Sequence, residues 1–318
     1  MKRRVKLIGL CAVFVSLAII SIVSISRAIT FGIWLNDYKC VFNLEKKTVK
    51  IVDYRGKDSV VIAPGNYILG FKMEEMFEVY DDESIKKIII PANAEYHLQV
   101  RYLDSLESVI FEEGTTYINA SIMDCNSLEE VVIPEGVKEI RWSAFARCKK
   151  LENIILPKEL EDINQNAFYG TKFEQKHNKD KYYVAGDNVL IFYNGPNEEV
   201  VIPYGIKTMT DDTYDKWWKE NYSKPKQIYF PSSLENLSYS LAEETTAYFG
   251  REFINFGDEE MQKIMAENIK GIIVAPEGSY MQEFCQKYDL NFRVMTEEEE
   301  TIWREKTEAA ASEITYQE

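Results

Sequence analysis

The hydrophobic residues in the middle of the chain recur in blocks of just over twenty residues. The stretches 128–150 and 151–173 align without gaps and share L-x-x-[VI]-x-[IL]-P, followed by a hydrophobic residue, an isoleucine and Ala-Phe. Looser copies begin at Ile85 and Leu106, so the leading residues of the four copies are 21, 22 and 23 positions apart. A repeat of this length predicts a solenoid, in which each coil needs a neighbour to bury its apolar edge.

Each repeat is predicted to supply one short strand and a return segment. In L-x-x-V-x-I the three named positions are expected to face inward, into a core shared by stacked coils. In the two aligned repeats these inward residues are Leu128, Val131, Ile133, Leu151, Ile154 and Leu156. The predicted strands, which should lie parallel and adjacent in one sheet, are 85–91, 106–112, 128–134 and 151–157.

The position between the last two inward residues points outward, and it is apolar in every coil. This outer apolar column is predicted to contain Val61, Ile89, Ile110, Val132, Ile155, Val201, Tyr229 and Ile273. The neighbouring outward column is polar and contains Lys87, Ser108, Glu130, Asn153, Glu199 and Gln227.

Two explanations of the apolar column remain open. Hydrophobic β-branched residues suit any strand and stack well on their neighbours, so the column has a purely structural explanation. The alternative is a continuous docking stripe, about 34 Å long at about 4.8 Å per strand. Its candidate partner-binding residues are Ile89, Ile110, Val132, Ile155, Val201 and Tyr229.

The repeats resemble the BspA-type leucine-rich repeats of bacterial surface proteins. The ending AF-x-x-C-x-x-L, here Ala144, Phe145, Cys148 and Leu151, is characteristic of that family. A later stretch also matches the family pattern, with Gly186, Leu190, Tyr193 and Pro203 in their usual places.

The resemblance covers about residues 38–295 and includes an opening hairpin with a first strand at 40–64. A closing strand and amphipathic helix are expected at 274–294. The pattern departs at Glu112, which replaces the repeat proline, and residues 207–226 and 235–270 do not scan as repeats. The resemblance implies a β-rich leucine-rich-repeat solenoid with parallel strands and short helical or irregular returns. It also implies extracellular binding or adhesion, and it supplies no catalytic residues.

The amino terminus has the pattern of a membrane segment. Residues 1–6 are basic, and the run Leu7–Ser26 carries no charge, long enough for a helix of about 30 Å. The basic cluster before this run predicts a cytoplasmic amino terminus and an extracellular remainder. An uncleaved signal anchor within 7–30 fits the length, whereas a cleaved signal peptide, which would give a secreted protein, has a shorter apolar core.

The charge of the remaining chain argues against a nucleic-acid partner. Residues 31–318 hold 32 basic and 52 acidic side chains, a surface that repels phosphate backbones. The expected partner is instead an extracellular protein or glycan.

No catalytic, cofactor or metal site is expected from the sequence. His97 and His177 are the only histidines, and no HExxH, CxxC, GxSxG or Walker-type pattern is present. The competing functions are a solenoid enzyme that acts on extracellular polysaccharide, whose carboxylates converge only in three dimensions, and a passive spacer. A cleft with close acids of raised pKa would favour the enzyme.

Two cysteines occupy the same place in successive coils. Cys125 and Cys148 should stack about 4.8 Å apart, within the range of a disulfide. Thr171 takes the same place in the next repeat, so a small buried residue is what the turn requires. We therefore expect buried free thiols.

An aromatic cluster interrupts the repeats near residues 210–225. Its residues Tyr214, Trp217, Trp218 and Tyr222 are a second candidate binding platform, for sugars or peptides. Alternatively, the aromatic side chains fold back onto the solenoid.

The predicted organisation is a cytoplasmic segment, a transmembrane segment, an N-terminal cap and first coil at 31–84, a solenoid at 85–295, and an acidic tail at 296–318. The tail holds eight glutamates and few apolar residues. Thr296 is a plausible helix start, because acids follow it. We expect a frayed helix or a disordered tail here. The short C-terminal helical cap is expected from the amphipathic helix within 274–294.

The membrane prediction is tested by fractionation of the full chain. It should stay with membranes after a carbonate wash, and external protease should digest the chain beyond residue 31. A soluble product that starts near Arg27 or Ala28 would show that the segment is a cleaved signal peptide.

Overall fold

The computed structural model describes residues 32–317 apart from 57, 75, 81, 165, 210–223, 236, 238–240 and 254–255. Within these residues, no helix has both the length and the apolar character needed to span a bilayer. The predicted membrane run Leu7–Ser26 lies outside the described residues, and so does the aromatic cluster around Trp217.

The regular elements of the described chain are mainly short strands. The strands up to the middle of the chain are β1 (Ile33–Leu35), β2 (Tyr38–Asn43), β3 (Thr48–Tyr54), β4 (Val60–Ile62), β5 (Tyr67–Ile68), β6 (Phe71–Met73), β7 (Met76–Tyr80), β8 (Lys87–Ile90), β9 (His97–Arg101), β10 (Ser108–Phe111), β11 (Tyr117–Ile118), β12 (Ala120–Met123), β13 (Glu130–Val132), β14 (Glu139–Ile140), β15 (Asn153–Ile155) and β16 (Asp162–Ile163). The later strands are β17 (Tyr182–Ala185), β18 (Val189–Tyr193), β19 (Glu199–Val201), β20 (Thr208–Met209), β21 (Gln227–Phe230), β22 (Thr246–Phe249), β23 (Ile272–Ala275), β24 (Phe292–Val294) and β25 (Ile314–Tyr316). The helices are α1 (Lys172–Lys176), α2 (Glu259–Asn268), α3 (Tyr280–Tyr288) and α4 (Glu297–Ala311).

Each coil in the first half of the chain adds strands to parallel ladders that run along the solenoid. The ladders β4-β8-β10 and β13-β15 contain the predicted repeat strands, and β7-β9-β12 and β11-β14-β16 run along the return segments. Val131 lies opposite Ile154 in the register that the aligned repeats predict. The fold is therefore a solenoid of parallel strands, as expected.

The prediction of one unbroken sheet is wrong in one place. Strands β10 and β13 lie side by side, but no hydrogen-bonded ladder joins them, so the repeat strands form two sheets. The backbone amide of Glu112, which stands where other repeats have proline, donates to the carbonyl of Ile90 and so extends the pairing of β10 with β8.

The core follows the inward positions of the repeat. The leading residues Ile85, Leu106, Leu128 and Leu151 are all fully buried, and Ile133 and Leu156 are buried as predicted. Phe145 stacks on Phe168 of the next coil, with ring centroids 6.2 Å apart. Each repeat therefore contributes the same side chains to one continuous core.

The turn that ends the repeat uses a left-handed backbone conformation in successive coils. Asp124 and Arg147 have φ of 58° and 60°, and Gly170 follows at 73°. The guanidinium of Arg147 donates two hydrogen bonds to the carboxylate of Asp124 across the coils.

Beside this turn, Cys125 and Cys148 are free buried thiols, as expected. The thiol of Cys148 donates to the carbonyl of Ile122. Its hydrogen bond with Cys125, together with burial, raises the pKa of the Cys148 thiol. In the next coil Thr171 fills the place, caps α1 and donates to the carbonyl of Phe168.

Both ends of the stack are covered. Strands β2 and β3 form the antiparallel hairpin expected at the first coil, and α3 with β24 closes the last one. In between, the hairpin β17–β18 interrupts the repeats, and β19-β21-β22-β23-β24 forms one five-stranded sheet.

The prediction of a frayed or disordered tail is wrong. Helix α4 begins with a complete capping box, in which Thr296 and Glu299 satisfy each other's backbone amides. Its buried residues Trp303, Thr307 and Ala310 recur at helical spacing on one face. Strand β25 then pairs in parallel with β17, so the tail returns along the solenoid.

Replacement of Phe145 with Ala tests the shared core. The fully buried ring bridges two coils, so the free energy of unfolding should fall by about 3–5 kcal/mol in a denaturant titration. Trp142 of the same coil is exposed, and Trp142→Ala serves as the control with an expected change within about 0.5 kcal/mol. A loss below about 1 kcal/mol at Phe145 would contradict its place in the core.

Candidate functional site

The outer apolar column exists, but its first and last members differ from the prediction. Ile62 lies opposite Ile89 in the first ladder, whereas Val61 lies opposite Ile88 and is buried. At the other end Val274 lies opposite Tyr248, whereas Ile273 points into the core. A register error of one residue moves a side chain to the opposite face of a strand.

The first half of the column is open to solvent. We call it the open stripe, and its residues are Ile62, Ile89, Ile110, Val132 and Ile155. Ile62 is 61% exposed, Val132 is 50% exposed and Ile155 is 52% exposed. Ile89 is half-buried between its neighbours.

The second half of the column is covered by residues 296–317, which we call the C-terminal strap. Tyr229 and Tyr248 are buried beneath it and stack with ring centroids 4.6 Å apart. Together with Val274 and Met295 they enclose the indole of Trp303, and Val201 packs against this cluster. Tyr229 is therefore not accessible to a partner in this structure, although it was a candidate partner-binding residue.

Trp303 determines where the strap lies. Its indole N–H donates to the carbonyl of Phe230 at 2.9 Å, inside the buried cluster. A Cβ atom at Gly250 would lie 2.4 Å from the ring. Gly250 occupies the place where the preceding coil has Pro231, because Phe249 is opposite Phe230. A residue without a side chain at this place makes room for the indole.

Ionic contacts fix the two ends of α4. Arg293 in β24 donates two hydrogen bonds to Glu299, and these bonds lower the pKa of the Glu299 carboxyl to about 2. Near the other end, the ammonium of Lys306 pairs with Glu199 and lies 4.3 Å from the ring centroid of Tyr229. Lys306, which lies between Glu199 and the ring of Tyr229, thus holds this part of α4 against the sheet.

The strap ends next to the open stripe. The side-chain amide of Gln317 donates to the carbonyl of Leu156 and accepts from its backbone N–H. This pair of bonds resembles a rung of strand pairing, one residue beyond Ile155. The end of the strap therefore reaches the edge of the open stripe at β15.

The middle of the open stripe has an acidic rim. An open depression of about 770 Å³ lies over Ile110 and Val132, and every charged residue that lines it is an acid. These acids are Glu107, Glu113, Glu130 and Glu135. Glu107 pairs with Lys86 at 3.1 Å, and Glu113 and Glu130 make no ion pair with any described residue. The surface combines exposed apolar side chains with negative charge.

A second cluster places a serine, a histidine and an asparagine together on the return segments. The hydroxyl of Ser121 lies 3.4 Å from Nε2 of His97, and Nδ1 of His97 lies 3.2 Å from the side-chain oxygen of Asn119. However, the Ser121 hydroxyl already donates to the carbonyl of Trp142 at 2.8 Å and is buried. The serine proton is therefore not directed at the histidine, and the group is not arranged as a nucleophile and base.

The carboxylates do not favour the polysaccharide enzyme. The pKa is lowered at Asp124 by the hydrogen bond from Arg147, and at Glu198 by the hydrogen bond from Lys226. A general acid for glycoside hydrolysis needs the opposite shift.

Two further kinds of candidate site are a metal centre and the aromatic platform. No group of three or more His, Cys, Asp or Glu side chains is placed to hold a metal ion in the part of the chain that the structure describes. The second candidate platform falls outside the described residues and stays a prediction, with its residues Tyr214, Trp217, Trp218 and Tyr222.

Comparison with known proteins identifies the repeats. A family model described as the BspA type leucine rich repeat region matches residues 76–190 in six copies. No curated protein sequence matches the chain significantly.

Solved structures of bacterial leucine-rich-repeat proteins match at low identity. A leucine rich repeat protein of T. pallidum is 15% identical over 63% of this chain and 86% of its own, with a TM-score of 0.32. A leucine rich cell surface protein of Faecalibacterium prausnitzii A2-165 is 13% identical over 87% of this chain and 97% of its own, with a TM-score of 0.29. A leucine-rich repeat protein of Bacteroides ovatus ATCC 8483 is 13% identical over 83% of this chain and 76% of its own, with a TM-score of 0.26. These superpositions are too loose to inform the site.

Replacement of Trp303 with Ala tests the cover of the second half. Loss of the buried indole should lower the free energy of unfolding by about 3 kcal/mol and expose Tyr229 and Tyr248 to hydrogen exchange and dye binding. Ile302 is the neighbouring exposed residue of α4, and Ile302→Ala is the matched control. Equal stability of the two variants would show that the strap is not held by Trp303.

Proposed function

Because residues 76–190 are BspA-type leucine-rich repeats, we propose that this chain is an extracellular, cell-surface-tethered and non-catalytic module for interaction or adhesion. The apolar run Leu7–Ser26 supports the tether, because it is long enough to span a bilayer and follows a basic cluster. The partner is a protein or glycan outside the cell, and the binding surface is the open stripe.

The contrast between the two halves of the apolar column carries this proposal. In the second half, Tyr229 and Tyr248 are withdrawn from solvent by the chain's own strap. In the first half, Val132 and Ile155 are exposed in adjacent coils and lie directly opposite each other. Contiguous exposed apolar residues on a soluble surface mark interaction sites more often than isolated ones do.

The geometry of the site favours binding over chemistry. The stripe lies on the outer face of the repeat strands, and pairing within each ladder places Ile110 beside Ile89 and Val132 beside Ile155. The depression above these residues is open to solvent, whereas a catalytic cleft encloses its substrate.

The double variant Val132→Thr with Ile155→Thr tests the stripe. Threonine keeps β-branching and strand propensity but makes the outer surface polar. We expect the free energy of unfolding to change by less than about 1 kcal/mol, because both side chains face outward. The full chain, immobilised, should then capture several-fold less extracellular protein or glycan than the unaltered chain does.

The matched control is Val52→Thr with Ile272→Thr. These two residues are also strand residues with exposed side chains, but they lie outside the apolar column. This control should capture as much material as the unaltered chain. Equal capture by the stripe variant would show that the binding surface lies elsewhere. Protease treatment of the captured material distinguishes a protein partner from a glycan.

A further inference from the structure

The strap shows what kind of element fits the outer apolar column. Helix α4 has 15 residues and lies along the five-stranded sheet that begins at β19 and ends at β24. At about 1.5 Å per residue its length is about 22 Å, and five strands at about 4.8 Å spacing span about 19 Å. One helix of four turns is therefore the right length to follow the column over five coils.

The open stripe presents the same length of column without a helix. It also has five apolar positions in successive coils, from Ile62 to Ile155. The strap that covers the second half also reaches the first, because Gln317 at its end bonds the backbone of Leu156 beside Ile155. An element that docks on the open stripe thus continues a cover that the chain has already begun.

Charge determines which helix fits. Glu130 stands two residues before Val132, as Glu199 stands two residues before Val201, and Glu199 receives Lys306 of the strap. On the other side of the stripe, Glu113 and Glu135 add further negative charge. Over Ile110 and Val132 a docking helix therefore meets acids on both flanks, and cationic side chains beside this part of its apolar face satisfy them. Lys87 stands beside Ile89, so the complementary cations belong at the middle of the stripe.

We propose that the open stripe binds a basic amphipathic helix of a partner protein. This inference rests on the proposed function and adds the chemistry of the partner. The apolar face of the helix packs on Ile110, Val132 and Ile155, and its lysine or arginine side chains pair with Glu113 and Glu130. The strap of a second copy does not fit, because its first turn consists of four glutamates, which the acidic rim repels. An anionic lipid surface is repelled for the same reason.

Synthetic peptides derived from the strap test the proposal. The native peptide spans residues 296–311, and the basic peptide carries Glu300→Lys, Glu305→Lys and Glu308→Lys. These changes reverse the sign of the net charge and retain Thr296 and Glu299, which cap the helix. The basic peptide should bind the full chain about tenfold more tightly than the native peptide at low salt, and salt should reduce the difference. A basic peptide that also carries Thr301→Pro should lose most of this affinity, since proline breaks the helix.

Variants of the chain separate the possible failures. Glu113→Gln with Glu130→Gln should remove most of the preference for the basic peptide and leave stability unchanged. Val132→Thr with Ile155→Thr should weaken the binding of the basic peptide about tenfold, and Val52→Thr with Ile272→Thr should not change it. If both peptides bind equally and the stripe variant weakens both, the stripe binds but the inference about charge is wrong. If neither peptide binds, or if the stripe variant binds the basic peptide as well as the unaltered chain, a basic helix is not the occupant of the stripe.

Discussion

A single coil of this protein has two flat faces of apolar side chains, and neither is shielded until another element covers it. This requirement explains the stacking of Phe145 on Phe168, and it explains the different structures at the two ends. The antiparallel hairpin β2–β3 places Phe42 and Val49 against the first coil. Helix α3 places Met281 and Phe284 against the last one. One buried cluster therefore runs from the first cap to the hairpin β17–β18, and a second runs from that hairpin to the last cap. In the first cluster the buried positions repeat because each coil must match the coil before it.

The sequence predicted those parts of the fold in which each repeat specifies its own environment. Inward positions such as Val131 and Ile154 were identified because two copies aligned without gaps. The first coil lacks a well-matched copy, and there Val61 was assigned to the outer face instead of Ile62. The strap was missed for a different reason. Trp303 is its one large buried apolar residue, so the local pattern resembles a solvated acidic segment. Its helix is stabilised by a surface that four distant strands build together, which no short window of sequence contains.

The outward residues are apolar along the whole column, but only its second half is covered by the strap. In the second half the outward residues include the stacked rings of Tyr229 and Tyr248, and glycine at position 250 admits Trp303. In the first half the outward residues are aliphatic. Two residues after each of them stands a proline or, in one coil, Glu112. Ion pairs such as Arg293 with Glu299 align the helix, but exposed pairs contribute little to stability. The burial of one indole therefore separates the covered half from the open half.

The strap has a mechanical consequence. It connects β24 with β17 and Leu156, so it joins the two edges of the second half along the outer face. Because the helix is attached at both edges of the second half, it should resist bending and twisting of those coils. The described residues place no such helix over the first half, where coils meet through their cores, strand ladders and side-chain pairs such as Arg147 with Asp124. Bending of the solenoid should therefore concentrate between β4 and β15, where curvature can adjust to the shape of a bound surface.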